Sequence, residues 1–224
     1  MKIHRLHDWN LSYQEAVQVQ KKLVKKLKLS PLKKKAYLVA GADISFSKKD
    51  PTLYAGVVVM RLPTLEIVET STIKGRTSFP YIPGLLAFRE IPVLLKAFQK
   101  LKNVPDVIMC DGQGIAHPRG LGLASHLGLI LKTPTIGCAK TRLVGDYKKP
   151  ARRQGSQKRL LYKGRRVGCV FRSQKNVKPL FISPGHLIDF SDSVKVIRQC
   201  MSHYRLPEPT RRAHGLVNAY RQSG

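Results

Sequence analysis

Apolar residues first recur at helical spacing, at Ala16, Val19, Leu23, Val24 and Leu27, behind Ser12 as a candidate N-cap with Glu15 three positions on. This predicts an amphipathic helix over residues 12 to 29 with a basic outer face. After Ser30-Pro31 the period changes. Tyr37 to Phe46, Leu53 to Leu62 and Leu65 to Ile73 are rich in β-branched residues, and the breaks between them contain Pro51 and Pro63, which predicts an antiparallel meander. From Gly84 the helical period returns in Leu85, Phe88, Leu94, Leu95, Phe98 and Leu101, with a kink or restart expected at Pro92. Asp106 to Cys110 then reads as a short buried strand, Leu121 to Leu131 as a helix, and Thr135 to Ala139 as another strand. A basic hairpin over Arg159 to Phe171, a strand near Leu180 to Ser183 and two C-terminal helices complete the pattern.

Strand, helix, strand, helix and strand after a meander predict an α/β chain: a mixed β-sheet whose later strands are parallel and which α-helices flank. No internal repeat is visible, and no linker is long enough to split the chain. Residues 1–224 are therefore expected to form a single domain carrying a basic hairpin insertion around 148–172, and the 42% hydrophobic content suffices for one core.

Charge narrows the partner. Lys and Arg number 41 against 13 acids, a formal charge of +28, and such a field attracts polyphosphates. Nucleic acid is the leading reading; a solvated cationic surface or an anionic membrane surface is the plainer one. The positive residues crowd most densely between Lys148 and Arg166. No apolar run is long enough to span a bilayer, and Met1-Lys2-Ile3-His4-Arg5 lacks the apolar stretch of a secretory signal, so a cytoplasmic monomer is expected. Cys110, Cys138, Cys169 and Cys200 have no Cys-x-x-Cys spacing, which argues against structural zinc and against a disulfide framework.

Acids among apolar residues need a metal or a cation to offset their burial. Three stand out: Asp43 interrupts Leu38-Val39-Ala40-Gly41-Ala42, Asp111 ends Val107-Ile108-Met109-Cys110, and Glu90 lies beside Phe88 and Ile91. If the first and fourth strands are neighbours, Asp43 and Asp111 converge at one edge and Glu90 can reach them from the covering helix. Few ligands, all oxygen, suit Mg²⁺, for which Mn²⁺ can substitute. The same residues have plainer readings: Asp43 opening a turn, Asp111 serving Asp-Gly turn chemistry, Glu90 complementing a helix start. His117, His126, His186 and His214 are poor direct Mg²⁺ ligands, so contacts to phosphate or to the side chains that hold the metal suit those that act. His117 and His126 are expected as phosphate contacts, alongside Arg119 and Arg142.

Three segments carry a resemblance. Ala40-Gly41-Ala42-Asp43-Ile44-Ser45-Phe46, the run from Phe79-Pro80-Tyr81-Ile82-Pro83-Gly84 to Arg89-Glu90, and Asp111-Gly112-Gln113-Gly114-Ile115-Ala116-His117-Pro118-Arg119 closely resemble the motifs of the endonuclease V family. Ala124-Ser125-His126, Pro134-Thr135-Ile136-Gly137-Cys138-Ala139-Lys140, Ser183-Pro184-Gly185-His186 and Pro207-Glu208-Pro209-Thr210-Arg211 extend the likeness over almost the whole chain.

The resemblance implies a ribonuclease-H-like fold and metal carboxylates at Asp43, Glu90 and Asp111. It implies hydrolysis of the second phosphodiester bond 3′ to a deaminated purine such as deoxyinosine, leaving 3′-hydroxyl and 5′-phosphate ends. Lys140 and His214 are functional in the family, plausible here for neutralising phosphate and orienting water. The family uses Pro80, Tyr81, Ile82 and Pro83 as a wedge; a flipped base costs a few kcal/mol, and stacking on an aromatic ring returns roughly 1–3 kcal/mol. Gly84, Gly112 and Gly114 would let backbone donors approach the purine, with Gln113 beside them and Leu85 and Leu143 as apolar walls, although the glycines have an equal reading as turn residues. DNA containing deoxyinosine is the expected partner, with inosine-containing RNA a close variant. A basic binding protein without catalysis and a nuclease directed at flaps or mismatches are the competing readings.

Overall fold

The computed structural model describes residues 1–47 and 50–223, built around an eight-stranded sheet of order β3-β2-β1-β4-β5-β8-β7-β6. Strands β1 (Leu38–Phe46), β2 (Thr52–Arg61) and β3 (Glu66–Arg76) form the meander. Strands β4 (Val107–Cys110) and β5 (Thr135–Ala139) extend it in parallel from β1. Their apolar runs do not alternate with polar residues because helices cover both faces.

The strands expected to be parallel, β4 and β5, are so, and the expected basic hairpin is an antiparallel pair; the sequence pattern leaves open the direction of the strand that follows it. Strand β8 (Leu180–His186) runs antiparallel to β5, and β7 (Arg165–Phe171) and β6 (Gln157–Tyr162) continue antiparallel beyond it. The reason is connectivity. Parallel neighbours need a crossover, which α2 (Leu86–Lys100) and α3 (Leu123–Leu131) supply, whereas β6, β7 and β8 follow one another without a helix.

Helix α1 (Tyr13–Leu23) carries the expected capping box, with Ser12 N–H donating to Glu15 Oε2 at 2.8 Å, but it ends earlier than predicted and tightens into a 3₁₀ turn over Val24–Lys26. Helix α2 passes through Pro92 as one element rather than restarting there. Pro92 removes one hydrogen bond, and burial of Ile91, Val93, Leu94, Leu95 and Phe98 against the sheet holds the helix across that gap.

The sheet has two distinct faces. Ala40, Ala42, Ile108 and Cys110 pack with α2 and α3, while Val39, Val107, Met109 and Ile136 pack with α4 (Phe190–Gln199). Helix α5 (Glu208–Gln222) lies across β1 and β2, and glycine makes this possible. A Cβ on Gly41 would fall 1.9 Å from the Pro209 carbonyl oxygen, and one on Gly56 would meet Val217 Cβ at 3.1 Å. Buried Glu208 anchors the start of α5 through Arg211 at 2.7 Å and Arg212 at 3.1 Å. Burial raises its pKa, but hydrogen bonds from Arg211, Ser202 and Arg212 bring it down to about 2. No helix among the described residues is long and apolar enough to cross a membrane.

Candidate active site

Ala42 and Cys110 are register partners in the parallel pair β1/β4, so the residues that follow them, Asp43 and Asp111, emerge side by side. The Asp111 N–H donates to the Ala42 carbonyl at 3.2 Å. This is the carboxyl end of the parallel strands, where open α/β sheets bind their ligands. Strand β5 ends at the same edge and delivers Lys140, whose Nζ lies 2.5 Å from Asp111 Oδ2.

Docking of α5 brings in His214. Its Nδ1 lies 2.7 Å from Asp43 Oδ2 and its Nε2 lies 3.1 Å from Asn218 Nδ2, while Asn218 Oδ1 accepts from Ser45 Oγ at 3.1 Å. With the amide so oriented, the contacts select one neutral tautomer, in which Nδ1–H donates to Asp43 and Nε2 accepts from Asn218. Asp43, Asp111 and His214 each offer a ligand atom, and these atoms lie within 4.8 Å of one another.

Glu90 approaches from α2, which covers the other face, and lines the same cleft. Burial, then the charges of Asp43 and Asp111, push its pKa up to about 8. Burial and Asp111 likewise raise Asp43, against the hydrogen bond from His214. The three acids thus sense one another in a poorly solvated space, the condition under which a divalent cation is most favoured.

Tyr81, Ile82, Pro83 and Gly84, from the segment expected to act as a wedge, also line this cleft, which holds about 490 Å³. Tyr81 is 71% exposed, Pro80 and Pro83 are exposed, and Ile82 is half-buried. The loop closes through Leu85 N–H on the Ile82 carbonyl at 2.9 Å, with Gly84 at φ +80°, a conformation that favours glycine. Three groups converge on the Gly84 carbonyl: Gln20 Nε2 at 3.0 Å, His117 Nε2 at 2.9 Å and an Arg119 terminal nitrogen at 2.7 Å. Burial and the neighbouring Arg119 lower the His117 pKa to about 4, so the ring is neutral, its Nδ1 accepts from Arg119 N–H and its Nε2–H donates a hydrogen bond to that carbonyl. Tyr81 therefore projects from a loop whose base is clamped.

Several residues named from sequence fall elsewhere. Leu85 is fully buried and packs with Phe79, Phe88 and Ala16, so Leu86 rather than Leu85 lines the cleft. The reason is helical phase at the start of α2: position 85 turns inward. Gly114 serves packing, since a Cβ there would fall 2.0 Å from the Pro184 carbonyl oxygen. His126 is no phosphate contact, because it is fully buried between Trp9 and Phe88 with Nε2 2.7 Å from His7 Nε2. Its helix, α3, is buried at every position. His117 and Arg119 are engaged at Gly84, which leaves Arg142 and Leu143 on the open rim. Gly112 and Gln113 line the cleft; Gln113 Nε2 donates to the Thr141 carbonyl at 3.0 Å, and its buried Oε1 has no partner among the described residues.

Two participants escaped the sequence reading. Gln20 occupies the i+4 position between Ala16 and Leu23 on the buried stripe of α1, where a polar residue signals a buried hydrogen-bonding duty. Asn218 stands one helical turn after His214, the spacing at which two side chains meet.

Comparison with known proteins agrees with this geometry. A family model described as Endonuclease V matches residues 21–215. An Endonuclease V from Nostoc punctiforme is 46% identical over 220 residues, covering 98% of this chain and 100% of that protein. The crystal structure of Endonuclease V from Streptomyces avermitilis superposes with a TM-score of 0.92 at 38% identity, covering 100% and 99% of the two chains. Endonuclease V from Ciona intestinalis, in complex with a 24mer DNA containing an inosine followed by a ribo-adenosine, superposes with a TM-score of 0.83 at 27% identity over 94% and 98%. The mixed sheet flanked by helices is a ribonuclease-H-like arrangement.

Proposed function

Because the chain belongs to the endonuclease V family, we propose that it is a magnesium-dependent repair nuclease that hydrolyses the second phosphodiester bond 3′ to deoxyinosine, leaving 3′-hydroxyl and 5′-phosphate ends. Membership makes it a nuclease; the lesion, the bond and the metal are our reading. The observation that carries it is one cleft lined by Asp43, Glu90, Asp111 and an exposed Tyr81, in which Asp43, Asp111 and His214 bring ligand atoms within 4.8 Å of one another and Glu90 faces them. The complex of the Ciona intestinalis relative with inosine-containing DNA supports the substrate class.

The residues fit a hard dication. The charge of Asp111 helps raise the pKa of Asp43, and the charges of both help raise that of Glu90; Asp43, Asp111 and Glu90 would hold Mg²⁺ or Mn²⁺ with water and substrate oxygens completing the set. Bound there, the ion would activate a water and offset charge on the scissile phosphate. The protein's own groups do the positioning. His214 holds one oxygen of Asp43, so that the carboxylate presents a fixed edge to the cleft. The Lys140 ammonium orients Asp111 and adds positive charge where a phosphate would lie. The aromatic face of Tyr81 fills the gap left by an extruded base, and Leu143 and Gly112 border the space that receives it.

The test is cleavage of matched DNA and RNA strands, each with and without one inosine, in Mg²⁺ and again after chelation. We expect cutting of the inosine DNA at the stated bond only while Mg²⁺ is present. Equal cutting of inosine-free strands would overturn the lesion reading, and preference for the RNA strand would reassign the substrate to inosine in RNA.

A further inference from the structure

The rim of the cleft continues past Leu143 into a second concave surface. Asp146 N–H donates to the Leu161 carbonyl at 2.7 Å and Leu161 N–H returns to Asp146 at 2.9 Å, which ties the rim to β6, the outermost strand of the sheet. Between that segment and the β6–β7 hairpin lies a hollow of about 820 Å³, lined by Lys148, Lys158, Arg159 and Arg166 and by one acid, Asp146. Arg142 already pairs with Asp146 at 3.2 Å. Among the described residues, none of those four lining cations makes an ion pair, although Arg166 rests on the Phe190 ring at 4.4 Å.

Charges on an outer strand suffice to keep sheets from adding edge to edge. That duty requires neither a hollow nor a backbone link to the catalytic cleft. Gathering like charges on one concave face is unfavourable unless an anion of extended form lies along it. A polyphosphate backbone is such an anion, and this fold already presents a cleft suited to one.

We propose that the hollow is a second nucleic-acid-binding surface, which grips the sugar–phosphate backbone of the substrate duplex on a flank beyond the cleft. The proposal rests on the nuclease reading above. Backbone contacts of this kind position without reading sequence. The surface therefore adds affinity for long duplexes and leaves the lesion preference to the cleft.

Lys148→Gln, Lys158→Gln and Arg159→Gln combined test it, since none of these side chains makes a hydrogen bond or ion pair among the described residues and Arg166 is left in place. Binding and cleavage are compared on a short inosine duplex that fills the cleft and on the same duplex extended by about one helical turn, ~10 base pairs, on either side. Wild type is expected to bind the extended duplex more tightly. The variant is expected to lose roughly 10- to 100-fold of that affinity, with a log–log salt slope smaller by about 2–3, and to cut the short duplex at the wild-type rate. Equal binding of the extended duplex by both proteins would make the hairpin a solvated edge only and overturn the proposal. Loss of short-duplex cleavage in the variant would place these cations in the cleft and overturn it too. If wild type fails to cut the short inosine duplex, the nuclease reading fails, while the affinity comparison still decides the hollow.

Discussion

Replacing Glu90 with glutamine removes a charge that the fold resists, and the consequence is measurable as stability. The Glu90 pKa rises from 4.5 to about 8 on folding, chiefly through burial and then through Asp43 and Asp111. A raised carboxyl pKa means that the folded state holds the proton more tightly. Its stabilising effect is complete below pH 4.5 and is lost as pH rises through 8. Integrating between these values gives a loss of about 1 kcal/mol by pH 5, about 3 kcal/mol by pH 7 and about 4 kcal/mol by pH 8. Glutamine has the shape of the protonated acid and does not titrate, so the gap between Glu90→Gln and wild type should widen by about 3 kcal/mol from pH 5 to pH 8. For a chain of this size that is ~6–12 °C in Tm. The assay is thermal melting of both proteins in chelator across that range. Adding Mg²⁺ at pH 8 should then raise the wild-type Tm more than that of the variant, because only the wild type supplies the third carboxylate. A Tm difference that stays flat with pH would refute the account of Glu90 as a repelled acid awaiting a cation.

Tyr81→Ala should weaken binding of an inosine duplex by roughly 1–3 kcal/mol, about 5- to 150-fold in Kd, with an unchanged Tm because the ring is exposed; a fluorescence titration alongside a melt checks both. Leu85→Ala should cost about 2–5 kcal/mol of stability in a denaturant melt and leave the ratio of inosine to adenine cleavage as it was, since Leu85 supports the loop from below. Glu208→Gln should remove about 3 kcal/mol near neutral pH. A depressed carboxyl pKa stabilises above 4.5 and loses that effect as pH falls through 2, so the two proteins should converge in acid; a constant difference down to pH 2 would contradict it.

The sequence pattern located the meander, the two parallel strands and the covering helices because each has a clear hydrophobic period. The antiparallel hairpin of β6 and β7 was legible, whereas the direction of β8 against β5 was not, because it depends on the neighbour that tertiary packing gives the strand. Asp43 and Asp111 were legible because each acid ends or interrupts an apolar run. Their adjacency needed the register of β1 against β4, which no local pattern contains. The clamp at Gly84 draws on residues 20, 117 and 119, and only tertiary packing unites them. His126 misled because a histidine in a motif suggests chemistry, whereas the apolar residues on every side of it had already declared an interior position.

The approach of α5 across Gly41 ties the pairing of His214 with Asp43 to one docking event. His214 and Asp43 are 171 positions apart and touch only while that helix lies against β1. Segments held at their ends loosen before a whole sheet does, and this one is held by Glu208 at its start and by a glycine gap along its length. Mild heat or denaturant should accordingly silence cutting while the β-sheet remains intact, leaving a protein that still clings to nucleic acid through its cationic surface yet does it no damage.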